Sequence, residues 1–124
     1  MGAVVAYSYD AKEKFLGVSH DTLLKYGAVS EQTAAEMVRG VRAAFGVDLA
    51  VSVTGIAGPG GGMPNKPVGL TYIGFAAPGI ERVTHHIWTS DREGNKQSSA
   101  QFAFTMLLEY LRALPKDGGD LPHI

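Results

Sequence analysis

Between Val53 and Gly69 the chain reads VTGIAGPGGGMPNKPVG, with glycine at 55, 58, 60, 61 and 62 and proline at 59, 64 and 67. Proline lacks the N–H that a helix interior or a ladder needs, and glycine loses the most backbone freedom when ordered. The stretch is therefore excluded from regular structure. Apolar, β-prone runs flank it, DLAVSVT at 48–54 and VGLTYIGFA at 68–76. The chain must fold around two strands joined by a long, bare connection. Connections longer than about 12 residues with no structure of their own are uncommon and often functional.

The rest of the chain supplies the elements that such strands need. GAVVAY, Gly2 to Tyr7, is short and β-branched and reads as a buried strand. Ser8 or Asp10 can cap a short helix carrying Ala11, Phe15 and Leu16 and stopped by Gly17; Ser19 opens a second, closed by Gly27. From Ser30, SEQTAAEMVRGVRAAFG spaces Ala34, Met37, Val38, Val41, Ala44 and Phe45 at three and four residues, with Gly46 beyond the end. That pattern is an amphipathic helix with both stop signals. APGIE is a tight turn, and RVTHHIWTS a strand returning as a hairpin. Asp91 caps a last helix to about Leu114, with Ala100, Ala103, Phe104, Leu107, Leu108 and Leu111 on its expected buried face and Pro115 ending it. The order β-α-α-α-β-β-β-α predicts an α/β fold, a mixed sheet covered by helices in an α/β/α sandwich. One domain is expected over residues 1–114, with 115–124 a flexible tail. A buried strand so near the first residue is unusual, since such strands ordinarily have something before them to cover or pair with.

Composition narrows the setting. A chain of 124 residues can bury a core without staples, and 45% hydrophobic with 19% charged residues is ordinary globular usage. The net charge of −1 gives no footprint for nucleic acid or an anionic membrane surface. There is no cysteine, which removes disulfides, thiolate nucleophiles and cysteine zinc sites. No apolar run approaches the roughly 20 residues of a membrane span, and a cytoplasmic location is expected.

Three places carry potential chemistry. The glycine-rich connection is neither a P-loop nor a dinucleotide fingerprint: Lys66 is followed by Pro67 and a strand, and Met63 stands where the third glycine belongs. It is either a plain linker between strands or a ligand loop, with Thr54 at its mouth. Tyr7 and Lys12 follow the first apolar run. A lysine near a helix N-terminus, partly desolvated, favours the neutral amine that a general base requires, whereas a solvated lysine beside a packing tyrosine does nothing. Arg92 and Lys96 sit on the first turns of the last helix, either as an anion site or as a solvated helix start. His85 and His86 are adjacent on a strand and point to opposite faces, so no protein-built metal site is expected.

VVAYSYDAKEKFLGV, YGAVSEQTAAEMVRG, VTGIAGPGGGMPNKPVG and SDREGNKQ together resemble, in that order, the C-terminal domain of the competence/damage-inducible CinA proteins, the nicotinamide-nucleotide amidohydrolases, from Gly2 to about Leu111. The resemblance implies hydrolysis of the carboxamide of nicotinamide mononucleotide to nicotinate mononucleotide and ammonia. It implies Lys12 as general base and Tyr7 beside it in the catalytic set. Thr54, Gly55, Gly58, Gly60, Gly61 and Arg92 would bind the nucleotide. Neither metal nor cofactor is implied; the expected partners are the nucleotide and further copies of the chain, through sheet edges left open. Members also carry an upstream strand and helix with an ES-x-TGG motif whose serine serves as nucleophile. This sequence contains no such motif, so the resemblance implies a domain truncated at its N-terminus. The chain alone is therefore expected to be inactive, and the alternative is a non-catalytic nucleotide-binding or scaffold module. Two further departures are Tyr9 in place of an asparagine and Lys96 where arginine is common.

Overall fold

The computed structural model describes residues 2–6, 8–56 and 66–114. Helix α1 (Tyr9–Leu16) starts at Ser8, whose Oγ accepts the Ala11 N–H at 3.0 Å, and stops at Gly17 with φ +67°. Helix α2 (His20–Tyr26) follows Ser19, but the Ser19 side chain makes no cap bond. Glu36 supplies the cap instead, accepting the Ser19 N–H at 2.8 Å and the Thr22 hydroxyl. Helix α3 (Glu31–Phe45) begins as its sequence predicts: Ser30 Oγ accepts the Thr33 N–H at 3.1 Å, and Gly46 closes it at φ +59°.

Three strands follow, β1 (Ala50–Gly55), β2 (Leu70–Ala77) and β3 (Ile80–Ile87), in the spatial order β1-β2-β3. Both pairings are antiparallel, with Ser52 opposite Gly74 and Tyr72 opposite His85. Alternation then decides which layer each side chain meets. Ala50, Ser52, Gly74 and Ala76 face α3: Val38 packs with Ala50 and Ala76, and the Ser52 hydroxyl donates to the Ala34 carbonyl at 2.8 Å. The other face meets α4 (Arg92–Arg112), where Phe75 lies 5.6 Å from the Tyr110 ring and His86 is 4.1 Å from Phe102. The sheet is thus covered on both faces, in the expected sandwich. Complete burial of Leu23, Val38 and Ile73 contributes roughly 1.5–3 kcal/mol each.

The structure departs from the sequence in three respects. Residues 2–6 form no ladder, and the described sheet is antiparallel throughout rather than mixed. Their apolar side chains are satisfied by helices: Val4 and Ala6 pack on the cluster of Leu16, Val18, Leu23 and Met37, while Val5 remains 75% exposed. On α1 the buried partner of Leu16 is Lys12, not Phe15. On α4 the buried residues are Asn95, Ser99 and Ala103, and Phe104, Leu108 and Leu111 face outward. Polar bonds seat that face: the Trp88 indole donates to Ser99 Oγ at 2.9 Å, and Asn95 Oδ1 accepts the Ser90 N–H at 3.0 Å.

Candidate functional site

The register gathers one end of the sheet. Gly55 pairs with Thr71 and Leu70 with Ile87, so the end of β1, the start of β2 and the end of β3 lie side by side. The ladder continues one step further: Ile56 N–H donates to Leu70 O at 2.9 Å, and Trp88 N–H to Gly69 O at 3.0 Å. Gly69 has φ +92°, and a Cβ there would lie 2.0 Å from the Trp88 carbonyl oxygen, so only glycine closes this corner. Gly55 is less tightly confined, its would-be Cβ 2.7 Å from the Thr71 hydroxyl and 3.0 Å from the Leu70 carbonyl oxygen. Both ends of the 57–65 connection, and the start of α4 five residues after β3, emerge here.

Thr54, whose hydroxyl the sequence sets at the mouth of the connection, is buried at this end of the sheet. It donates to the Ala28 carbonyl at 2.7 Å, in the link between α2 and α3. Its one donor is spent, and acceptor capacity is what remains for a ligand. Lys66, which the sequence suggested only as a failed P-loop lysine, donates to the neighbouring Tyr26 carbonyl. Between them the Gly27 carbonyl accepts Ser30 Oγ at 3.0 Å and Thr33 Oγ1 at 2.7 Å. Three consecutive carbonyls thus receive four side-chain donors. The signal that would have found this is the short YGAVS segment, where glycine precedes a helix cap. Gly27 sits at φ +81°, and a Cβ there would fall 2.8 Å from Lys66 Nζ and 4.0 Å from the Tyr9 hydroxyl.

Lys12 is on α1, which packs against α3. It is only 7% exposed, and its Nζ donates to the Ala6 carbonyl at 2.9 Å. Burial pushes its ammonium below the ordinary lysine range. No carboxylate of a described residue lies within ion-pair reach to reverse that shift. The structure therefore brings Thr54 and Gly55 to one place with Lys66, and sets Lys12 on a neighbouring helix with a different carbonyl. Arg92 opens α4 at the same sheet end, beside the Asp91 cap that accepts Gly94 N–H at 2.8 Å. Tyr7, Gly58, Gly60 and Gly61 lie outside the described residues. His85 and His86 point apart, one against Tyr72 and the other stacked on Trp88. Among the described residues no group of three or more histidine, aspartate or glutamate side chains is placed to hold a metal. A shallow groove of about 460 Å³ runs between α3 and β3, but its principal charges, Arg39 and Glu81, are bound to each other.

Residues 1–111 match the family described as the CinA C-terminal domain. The chain belongs to that family. It is 48% identical over 113 residues to a putative competence-damage inducible protein of Moorella thermoacetica, covering 91% of this chain and 27% of that protein. It is 45% identical to a CinA-like protein of Thermotoga maritima, again over 90% of this chain and 27% of the relative. The chain thus spans about a quarter of the length of these curated relatives. Among solved structures, a CinA superfamily protein from Escherichia coli superposes with a TM-score of 0.81 at 32% identity, over 85% of this chain and 61% of that one. A competence/damage inducible protein from Agrobacterium tumefaciens gives 0.77 at 40% identity, over 84% and 64%. These likenesses show the α/β fold and the CinA family. No described helix is long and apolar enough to cross a membrane.

Proposed function

We propose that this CinA C-terminal domain binds nicotinamide mononucleotide and supplies the general base for hydrolysis of its carboxamide. The observation that supports this is Lys12: a buried lysine with a backbone carbonyl as partner and an ammonium disfavoured by desolvation. A neutral amine can take the proton of a serine hydroxyl as that oxygen attacks the amide carbon, and return it to the departing ammonia; water then releases nicotinate mononucleotide. The serine would come from an ES-x-TGG segment, which is not in this sequence. Tyr7 would stand beside Lys12. Thr54 would orient the carboxamide by accepting from its N–H, and Arg92 would hold negative charge on the nucleotide. Gly55, with Gly58, Gly60 and Gly61, would allow close backbone approach.

Ammonia release from nicotinamide mononucleotide is the test, with this chain alone and with a polypeptide in which it follows an ES-x-TGG segment. The extended protein should turn over. Its Lys12→Arg variant should lose at least about a hundredfold in turnover while keeping the charge, because a guanidinium does not deprotonate. No ammonia from the extended protein would end the enzyme reading and leave a nucleotide-binding or scaffold module.

A further inference from the structure

We propose that Lys66 is a positioning residue, fixing the start of α3 against the ligand end of the sheet. It rests on the amide-bearing nucleotide as the ligand of that end. The chain leaves β1 just after Thr54 and returns at Lys66, and both side chains fasten to the α2–α3 link, at Ala28 O and Tyr26 O. The carbonyl between them is held from the other side by Ser30 and Thr33, the cap and first turn of α3. Residues 26–28 are thus tied both to the sheet and to the first turn of α3. On the sheet side one tie is a short hydroxyl rooted in β1. The other is the long side chain of Lys66 at the far end of the connection, whose Nζ passes 2.8 Å from where a Cβ at Gly27 would stand, a position held at φ +81°. An ammonium donates more strongly to a carbonyl than a neutral group does. Lys66 therefore adds a second tie beside Thr54 between the α3 entry and this end of the sheet, and through it positions a ligand bound at that end.

The chain itself serves for the test, as Lys66→Met and Lys66→Arg variants. Titration uses nicotinamide mononucleotide and, separately, nicotinamide riboside, which lacks the phosphate. Lys66→Met should weaken both ligands by a similar factor, of tenfold or more, and Lys66→Arg should restore most of the loss. Amide exchange over residues 27–33 should accelerate in Lys66→Met while exchange over residues 95–103 of α4 stays unchanged. Loss confined to the nucleotide would make Lys66 a phosphate ligand and overturn the positioning role. Unchanged binding would overturn it too. If the wild-type chain binds neither ligand, the proposed function loses its support, and Lys66 is judged by exchange alone: unaltered protection over 27–33 would dismiss it.

Discussion

Helices α3 and α4 cover opposite faces of the same sheet, yet they are held there by different forces. Helix α3 buries Ala34, Met37 and Val38 and lets another helix approach until backbones touch. Helix α4 buries Asn95, Ser99 and Ala103, is seated by hydrogen bonds to Trp88 and Ser90, and turns Phe104, at 65% exposed, toward solvent. Apolar area and close approach dominate on α3, with one hydrogen bond from Ser52, whereas α4 combines two aromatic contacts with directional bonds from a polar face. Substitutions should therefore fail for different reasons on the two sides.

The largest effect is expected at Gly40 on α3. A Cβ there would sit 1.7 Å from the Leu16 carbonyl oxygen, and that obstacle is backbone. Gly40→Ala must part α1 from α3 and should cost about 3 kcal/mol or more in denaturant unfolding, the upper range of overpacking. A cost below about 1 kcal/mol would mean the contact between α1 and α3 is dispensable. Next comes Ser99→Ala on α4, which leaves the half-buried Trp88 indole N–H without its acceptor. About 1–3 kcal/mol should be lost, with a change in Trp88 emission. Leu108→Ser, on the outward side of α4, should stay within about 0.5 kcal/mol. A large loss there would show that α4 is covered by a partner surface, and would break the contrast with α3.

The smallest effect is a pH dependence. His86 stacks on Trp88 at 4.8 Å and 4°, and burial first, then the neighbouring His85, lowers its pKa from the ordinary value of 6.5. The folded state thus binds this proton more weakly than the unfolded chain. The stabilisation is fully present above pH 6.5 and declines as pH falls through the lower, folded-state pKa. Trp88 emission should follow the same titration, and His86→Phe should flatten both curves. A midpoint at or above 6.5 would contradict the lowered value.

The same division explains what could be read from the sequence. Helix α3 was legible because apolar spacing, the Ser30 cap and Gly46 all agree, and propensity and packing ask for the same thing. The β2–β3 hairpin was legible from its PG turn. On α4 the apolar spacing points to the wrong flank, because its buried face is chosen by hydrogen bonds that periodicity cannot register. In the described part of the strand expected over 2–7, residues 2–6, no ladder forms. Val4 and Ala6 are half-buried against the α1–α3 cluster and Val5 is exposed, so β-branched composition alone does not specify a sheet partner. At the candidate site the sequence points to Thr54 and Lys12 but not to the carbonyls they bind. The carbonyls of Tyr26, Gly27 and Ala28 carry no side-chain signature; the glycine before the Ser30 cap in YGAVS marks the turn, but not the convergence of four donors on it.

The cap of α2 has a consequence for how the chain assembles. A helix of seven residues is marginal in water without tertiary support, since nucleation costs more than so short a run returns. Here both oxygens that start it belong to Glu36, on a helix that comes later in the chain. As the polypeptide leaves the ribosome, residues 19–26 emerge before the group that organises them. Helix α2 is then a late event in folding, waiting on α3, and Glu36→Gln should speed its unravelling while leaving the formation of α3 almost untouched.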